Sequence, residues 1–257
     1  MNLENAKILI NTEISNGIFH MVLFAPKIAK MAQPGQFIML YLNRGDLLLP
    51  RPISIFNADS DKGEIEIVYQ VVGKGTKAIS EMSAEIKVLG AMGNGFFTEG
   101  RNGETLNRVA LIGGGIGIFP LNFLAAFLSK RNVDFHIYHG VRTKSLAYNI
   151  GMLNDERYFA SDDGSLGHRG RITAHPSLLS NKYDMIFSCG PKPMLRAISD
   201  YAKSKNIPCQ ISVEERMACG MGTCVGCVVK VGEDYVRVCS EGPVFYSDEI
   251  TCDEVFK

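Results

Sequence analysis

The chain has 257 residues, 46% hydrophobic and 21% charged, with 27 lysines and arginines balanced by 27 aspartates and glutamates. That length suffices for two or three domains with real cores, and the neutral balance leaves no electrostatic footprint for nucleic acid or an anionic membrane. Seven cysteines, an odd number, follow an N-terminus (MNLENAKILI) with no long apolar run. This argues for a reducing cytoplasm and for free or metal-bound thiols over disulfides.

The first hundred residues read as β-structure. KILINTEI, GIFHMVLFA, GQFIMLYL, RPISIF, EIEIVYQVV and EIKVLG are short runs rich in Ile, Val, Phe and Tyr, and several alternate apolar with polar residues. Gly, Asn, Asp and Pro separate them, and helical periodicity is almost absent, so a small antiparallel β-barrel or sandwich is expected over residues 1–99. Within it, Arg51-Pro52-Ile53-Ser54 places a guanidinium and a hydroxyl on a strand, and GKGT at 73–76 offers small residues and N–H donors. Taken separately, each of these also fits an ordinary exposed strand or turn.

The pattern changes near Gly100. RVALI, a glycine turn (Gly113, Gly114, Gly115, Gly117) and FPLNFLAAFLSKRN predict a strand, a tight turn and a helix, with Pro120 in the first helical turn and Asn132 as the stop. Residues 109–129 carry no charge over 21 positions, about the length of a membrane span. Four glycines and a proline in the first half break a single helix there, so a buried strand, turn and helix is the better reading. VDFHIYHG continues as a strand, and DMIFSC, PKPMLRAISDYAKSKN and PCQISVE repeat strand, helix, strand. The alternation predicts a Rossmann-like parallel sheet over residues 100–213. The glycine turn is a candidate phosphate cradle, although Ile118 replaces the last glycine of a full dinucleotide fingerprint. Cys189-Gly190-Pro191 forms a second turn at the same strand edge, where ligands bind such sheets.

Residues 214–257 hold five of the seven cysteines. So short a segment cannot bury a core alone, and a metal group is a natural staple. Cys219, Cys224, Cys227 and Cys239 stand at C-x4-C-x2-C-x11-C, the plant-type spacing for a [2Fe–2S] cluster. Zinc sites pair their ligands as repeated C-x2-C or with histidine, whereas only one C-x2-C exists here and no histidine follows His175. Gly220, Gly222 and Gly226 would let the loop wrap an inorganic core and bring N–H groups to its sulfurs. Cys252 is the reserve for the fourth ligand, and Cys209 reads as a small buried residue.

RPIS, GGGIGIFP and CGPKPM, with PGQF at 34–37 and GNGF at 93–96, resemble the ferredoxin–NADP reductase superfamily over nearly the whole chain. ERMACGMGTCVGCVVK followed by VCSEGPVF is very similar to the electron-transfer subunits of class B, NAD-dependent dihydroorotate dehydrogenases. The resemblance implies FAD held by Arg51, Pro52, Ile53 and Ser54, with Arg51 near its phosphates and Ser54 near the isoalloxazine. It also implies Val68, Tyr69 and Gln70 along the ribityl and pyrophosphate region, and Gly75 with Thr76 at the pyrophosphate. NAD would lie on Gly113 to Gly117 and on Cys189, Gly190 and Pro191, with Cys189 near the hydride-transfer site. Cys219, Cys224, Cys227 and Cys239 would ligate the cluster. The implied partner is an FMN-containing subunit that oxidises dihydroorotate in pyrimidine (UMP) synthesis, two of each chain forming a cytoplasmic heterotetramer. Two alternatives are a subunit feeding another complex such as a cytoplasmic hydrogenase, and a zinc-stapled nucleotide-binding module without redox function. The residues themselves leave NAD versus NADP open, because Arg142 and Lys144 are placed to hold a 2′-phosphate or simply to be solvated.

Overall fold

The alternating runs of the first hundred residues become six strands in the computed structural model of the chain, which describes residues 1–149, 151, 157–250 and 256. These are β1 (Asn2–Ser15), β2 (Ile18–Phe24), β3 (Phe37–Tyr41), β4 (Arg51–Asp59), β5 (Glu64–Gln70) and β6 (Glu85–Met92). They close into a barrel in the order β1-β2-β5-β4-β3-β6, with every neighbour antiparallel. Closure leaves no open sheet edge. β5 shows the pattern plainly: Ile65 and Ile67 are buried, while Glu66 turns outward to meet His20 Nε2 at 2.8 Å and Asn57 Nδ2 at 2.9 Å. β3 departs from alternation, because Phe37, Ile38, Met39 and Leu40 are all buried. Helices α1 (Pro26–Ala29) and α2 (Lys74–Ser80) are too short to show a helical period in the sequence. Asn11 ties down the end of α2, its Nδ2 donating to the carbonyls of Ile79 and Met82, both at 2.9 Å.

The remaining elements are β7 (Arg108–Gly114), α3 (Pro120–Lys130), β8 (Asp134–Val141), β9 (Arg157–Ser161), β10 (His168–Arg169), α4 (Pro176–Ser180), β11 (Met185–Cys189), α5 (Lys192–Lys205), β12 (Cys209–Ser212), β13 (Val228–Val231), β14 (Asp234–Arg237) and β15 (Val244–Tyr246). A seven-stranded sheet runs β10-β9-β8-β7-β11-β12-β15, parallel except for β15, which pairs antiparallel with β12. The chargeless segment resolves into β7, a 3-10 turn at Gly115–Ile118 and α3. No helix among the described residues is long and apolar enough to cross a membrane. Asn132, at φ 57°, ends α3 in the left-handed conformation that asparagine tolerates. Cys209 is buried in β12, which pushes its thiol up to about 12.

The chain divides into two compact units. The first comprises Met1–Gly95, Glu214–Val228 and Val236–Pro243, so the barrel and the cysteine-rich loop belong together. The second comprises Phe96–Val213, Val229–Tyr235 and Val244–Lys257. Its closing strand, β15, comes from beyond the cysteines. There Arg101 bonds Asp248 at 2.5 Å and Glu249 at 2.7 Å, and lies over the Tyr246 ring at 4.5 Å.

Candidate functional site

Three of the spaced cysteines lie in the loop that leads into β13, and β14 returns the chain to the fourth. Val238 N–H donates to the Cys227 carbonyl at 3.0 Å, which delivers Cys239 beside Cys227. Cys239 N–H then donates to Cys227 Sγ at 3.4 Å, Gly222 N–H to Cys239 Sγ at 3.2 Å, and Met221 N–H to Cys219 Sγ at 3.4 Å. The side chains interact as two pairs, Cys219 with Cys224 and Cys227 with Cys239. Among the described residues, no three His, Cys, Asp or Glu side chains converge as the ligands of a single ion. Two pairs of sulfurs, each supplied with N–H donors, fit a binuclear iron–sulfur group with two thiolates to each iron. Burial opposes the Cys219 thiolate, but donors from Thr223, Cys224 and Met221 outweigh it and bring the thiol down to about 6. Burial, with Cys227 alongside, pushes Cys239 up to about 12. Cys252 lies outside the described residues.

Backbone conformation shapes this loop. Gly220 and Gly222 take φ of 71° and 84°, as a wrapping loop requires, but the third such position is Val225 at 52° and not Gly226. A β-branched residue there is strained. A Cβ on Gly220 would come within 2.7 Å of Met39 Cγ, so the loop lies directly on β3. That contact explains why β3 is apolar on both faces. Arg237 braces the assembly, with Nε to Glu241 Oε2 at 2.7 Å and Nη1 to the Gly222 carbonyl at 3.3 Å. The GNGF stretch anchors the chain beyond Cys239: Asn94 N–H donates to the Gly242 carbonyl at 2.6 Å and Asn94 Nδ2 to the Glu241 carbonyl at 2.9 Å.

The RPIS strand is the immediate neighbour of β3. Leu40 pairs with Arg51, Met39 with Pro52, Ile38 with Ile53 and Phe37 with Ser54. All four RPIS residues are half-buried. Arg51 donates through Nη1 to the Leu49 carbonyl, and its guanidinium packs so closely on the Cα of Gly75 that a Cβ there would overlap it. Thr76 is turned inward, its Oγ1 accepting from the N–H groups of Val72 at 3.0 Å and Gly73 at 3.3 Å. Val68 and Tyr69 are buried, and Gln70 is exposed. The Tyr69 hydroxyl donates to Asn11 Oδ1 at 2.9 Å, and burial pushes its phenol up. Gln70 is therefore the one polar side chain of the three open to solvent.

In the second unit the two predicted turns touch. A Cβ on Gly117 would lie 2.5 Å from Gly190 Cα and 2.6 Å from the Cys189 carbonyl oxygen. One on Gly114 would meet Pro191 Cδ at 2.7 Å. Cys189 is buried at the end of β11, paired in register with Gly113. These contacts gather Gly113 to Gly117 with Cys189 to Pro191 at the C-terminal edge of the parallel strands, where such sheets bind nucleotides. Sequence reasoning missed one further residue at this edge. His139 on β8, also in register with Gly113, is fully buried and bonds the Gly115 carbonyl through Nε2 at 3.0 Å.

Burial, with Arg157 nearby, holds the His139 imidazole down at about 4 against an ordinary 6.5, while the bond to Gly115 acts the other way. The unfolded chain therefore takes up this proton first as the pH falls. Stability from the neutral imidazole is full above 6.5 and drains away toward 4, on the order of 3 kcal/mol across the window. Denaturant titrations at pH 7.5 and 5 are expected to show the wild-type protein losing distinctly more stability than His139→Phe. Equal losses would mean that this group does not set the slope.

Similar solved folds define the class. NADH-dependent reduced ferredoxin–NADP oxidoreductase, described for flavin-based electron bifurcation, superimposes with a TM-score of 0.86 over 98% of this chain and 91% of that one, at 26% identity. Ferredoxin–NADP+ reductase from Neisseria gonorrhoeae, solved with FAD and NADP, shares the fold at a TM-score of 0.63 and 16% identity, over 79% of this chain and 92% of that one. With the paired cysteines on its barrel, the chain is an iron–sulfur flavoprotein oxidoreductase of ferredoxin reductase fold. Residues 214–251 match the iron–sulfur cluster binding domain of dihydroorotate dehydrogenase B. The electron transfer subunit of dihydroorotate dehydrogenase B (NAD(+)) from Clostridium acetobutylicum is 37% identical over 251 residues, spanning 96% of this chain and 97% of that one. The chain belongs to that family of electron transfer subunits.

Proposed function

We propose that this chain passes electrons from a dihydroorotate-oxidising catalytic subunit to NAD+, in cytoplasmic pyrimidine synthesis. In this reading the partner carries FMN and the assembly holds two of each chain. The observation that carries the proposal is the paired set of four cysteines, in a loop that packs through Gly220 on β3, one strand from RPIS and within one compact unit. An iron–sulfur cluster exchanges single electrons and FAD exchanges either one electron or a hydride, so together they link an electron donor to NAD+.

The chain's own groups divide the remaining work. Cys219, Cys224, Cys227 and Cys239 hold the irons, with the N–H groups of Met221 and Gly222 directed at the sulfurs. Arg51 meets the FAD phosphates and Ser54 the isoalloxazine, with Pro52 and Ile53 shaping the strand between them. Val68, Tyr69 and Gln70 flank the ribityl and pyrophosphate, and Gly75 lets the guanidinium close on the pyrophosphate beside Thr76. The Gly113 to Gly117 turn receives the NAD pyrophosphate, while Cys189, Gly190 and Pro191 bound its nicotinamide end. Hydride transfer between reduced flavin and NAD+ needs no protein acid or base, so no side chain is assigned a proton.

Gly75→Ala is expected to displace Arg51. Overpacking of ~1–3 kcal/mol corresponds to roughly 5- to 150-fold in FAD affinity, measurable by reconstituting flavin-free protein. Unchanged affinity would remove Arg51 from the phosphate site. The proposal as a whole is tested by spectrum, acid-labile sulfide and anaerobic turnover. Purified protein is expected to show flavin and iron–sulfur bands, and to reduce NAD+ with dihydroorotate once mixed with the cognate FMN subunit. A colourless, zinc-loaded protein would overturn the redox reading. Full cofactor loading without dihydroorotate-dependent NAD+ reduction would overturn the choice of partner.

A further inference from the structure

His139 has a cost that packing does not explain. It is 0% exposed, between Tyr138 and Gly140 on β8, and its Nδ1 has no hydrogen-bond partner. An unsatisfied buried acceptor costs about 1–3 kcal/mol. A phenylalanine would fill the same space beside the Phe159 ring, 5.7 Å away, without that cost. The imidazole differs from a phenyl ring in one productive respect, the bond from Nε2 to the Gly115 carbonyl.

That bond acts at the one glycine of the turn that packing leaves alone. Gly113, Gly114 and Gly117 are wedged against Ile118, against Met194 with Pro191, and against Gly190 respectively. Gly115, at φ 53°, has nothing within 4 Å of where a Cβ would stand. Gly115 opens the 3-10 turn Gly115–Ile118, and the bond from His139 adds a side-chain anchor to its carbonyl. A trans peptide directs its C=O and the following N–H in opposite directions. With the Gly115 oxygen held inward by His139, the Ile116 N–H is turned the other way, on a residue that is 39% exposed.

We infer that His139 is a positioning residue for the pyridine nucleotide. It pins the Gly115 carbonyl so that the Ile116 N–H is presented to the bound pyrophosphate. This rests on the reading of the glycine turn as the NAD site. His139 itself stays neutral and touches no ligand.

The test compares His139→Phe, which keeps a buried ring and removes the donor, with His139→Gln, which returns a donor. Both are made in the FAD- and cluster-loaded protein. Three readouts are taken: NAD+ binding by calorimetry, KM against kcat for NADH with ferricyanide as acceptor, and melting temperature. His139→Phe is expected to bind NAD+ about 10-fold more weakly, the worth of one well-placed hydrogen bond. The loss should appear in KM far more than in kcat, with melting unchanged or raised. His139→Gln is expected to recover most of the affinity. Phe binding as tightly as wild type would overturn the inference. So would equal losses of affinity and melting temperature in both variants, which would mark a packing role. Failure of the wild-type protein to bind NAD+ would instead overturn the placement of the nucleotide on this turn, and the inference with it.

Discussion

Cys239→Ser is expected to bleach the iron–sulfur absorption and cut dihydroorotate-dependent NAD+ reduction by more than ~100-fold, since even partners behind a metal ligand commonly cost 10–100-fold. Two features make this position severe. Cys239 is buried beside Cys227 and accepts the Gly222 N–H, so its loss strips both one thiolate and the order of the opposite loop. Arg237 is bonded to that loop at the Gly222 carbonyl and is itself held by Glu241, leaving no slack for a neighbour to substitute. FAD should remain, because RPIS and Gly75 lie on barrel strands and a helix that do not depend on Cys239. NADH oxidation by ferricyanide should therefore survive while electron entry from the partner fails. Cys252→Ser is the control and is expected to leave the spectrum intact. A bleached Cys252→Ser beside a coloured Cys239→Ser would reassign the fourth ligand.

Local signals carried most of this architecture. Period-two alternation in EIEIVYQ and its neighbours is written into each strand, and all six barrel strands fall where those runs lie. The cysteine spacing is equally local, because ligands from one loop must be closely spaced to reach one group. Where the answer depended on distant pairing, the sequence was silent. β15 is three residues, VFY, and exists because Gln210, Ile211 and Ser212 offer it a ladder. β9 is short and opens with Arg157, and β10 has only two residues, too few for any period. FIML in β3 looks like an ordinary buried run, and only the contact with Gly220 shows that its second face is covered by the cysteine loop.

The site followed the same division. RPIS, GKGT, GGGIG and CGP could be picked out by composition, but that Arg51 packs on Gly75, and that Cys189 stands in register with Gly113, came only from the fold. His139 had one usable signal, a histidine late in a strand and immediately before Gly140. Its partner, Gly115, lies across the ladder, and no spacing rule joins the two. Val225 carried no signal, since glycine is the expected bearer of positive φ and Gly226 stood next to it.

Gly117→Ala is expected to damage the second unit more than its single added methyl suggests. The new Cβ would stand 2.5 Å from Gly190 Cα and 2.6 Å from the Cys189 carbonyl oxygen, both backbone atoms fixed by the end of β11. Side-chain rotation cannot relieve that overlap, so the turns must separate or the helices behind them must shift. Overpacking of this kind costs ~1–3 kcal/mol, and separation of the turns should weaken NAD+ binding by at least ~10-fold. The residue's φ is not positive, so steric overlap alone is at issue. Gly115→Ala poses the opposite problem, an open space at φ 53°, and should cost about 1 kcal/mol from backbone strain. Gly45→Ala, with open space and no positive φ, should be neutral. Melting curves and NAD+ titrations on the three variants separate these causes. If Gly117→Ala melts and binds like Gly45→Ala, the contact between the turns does not hold the nucleotide edge together.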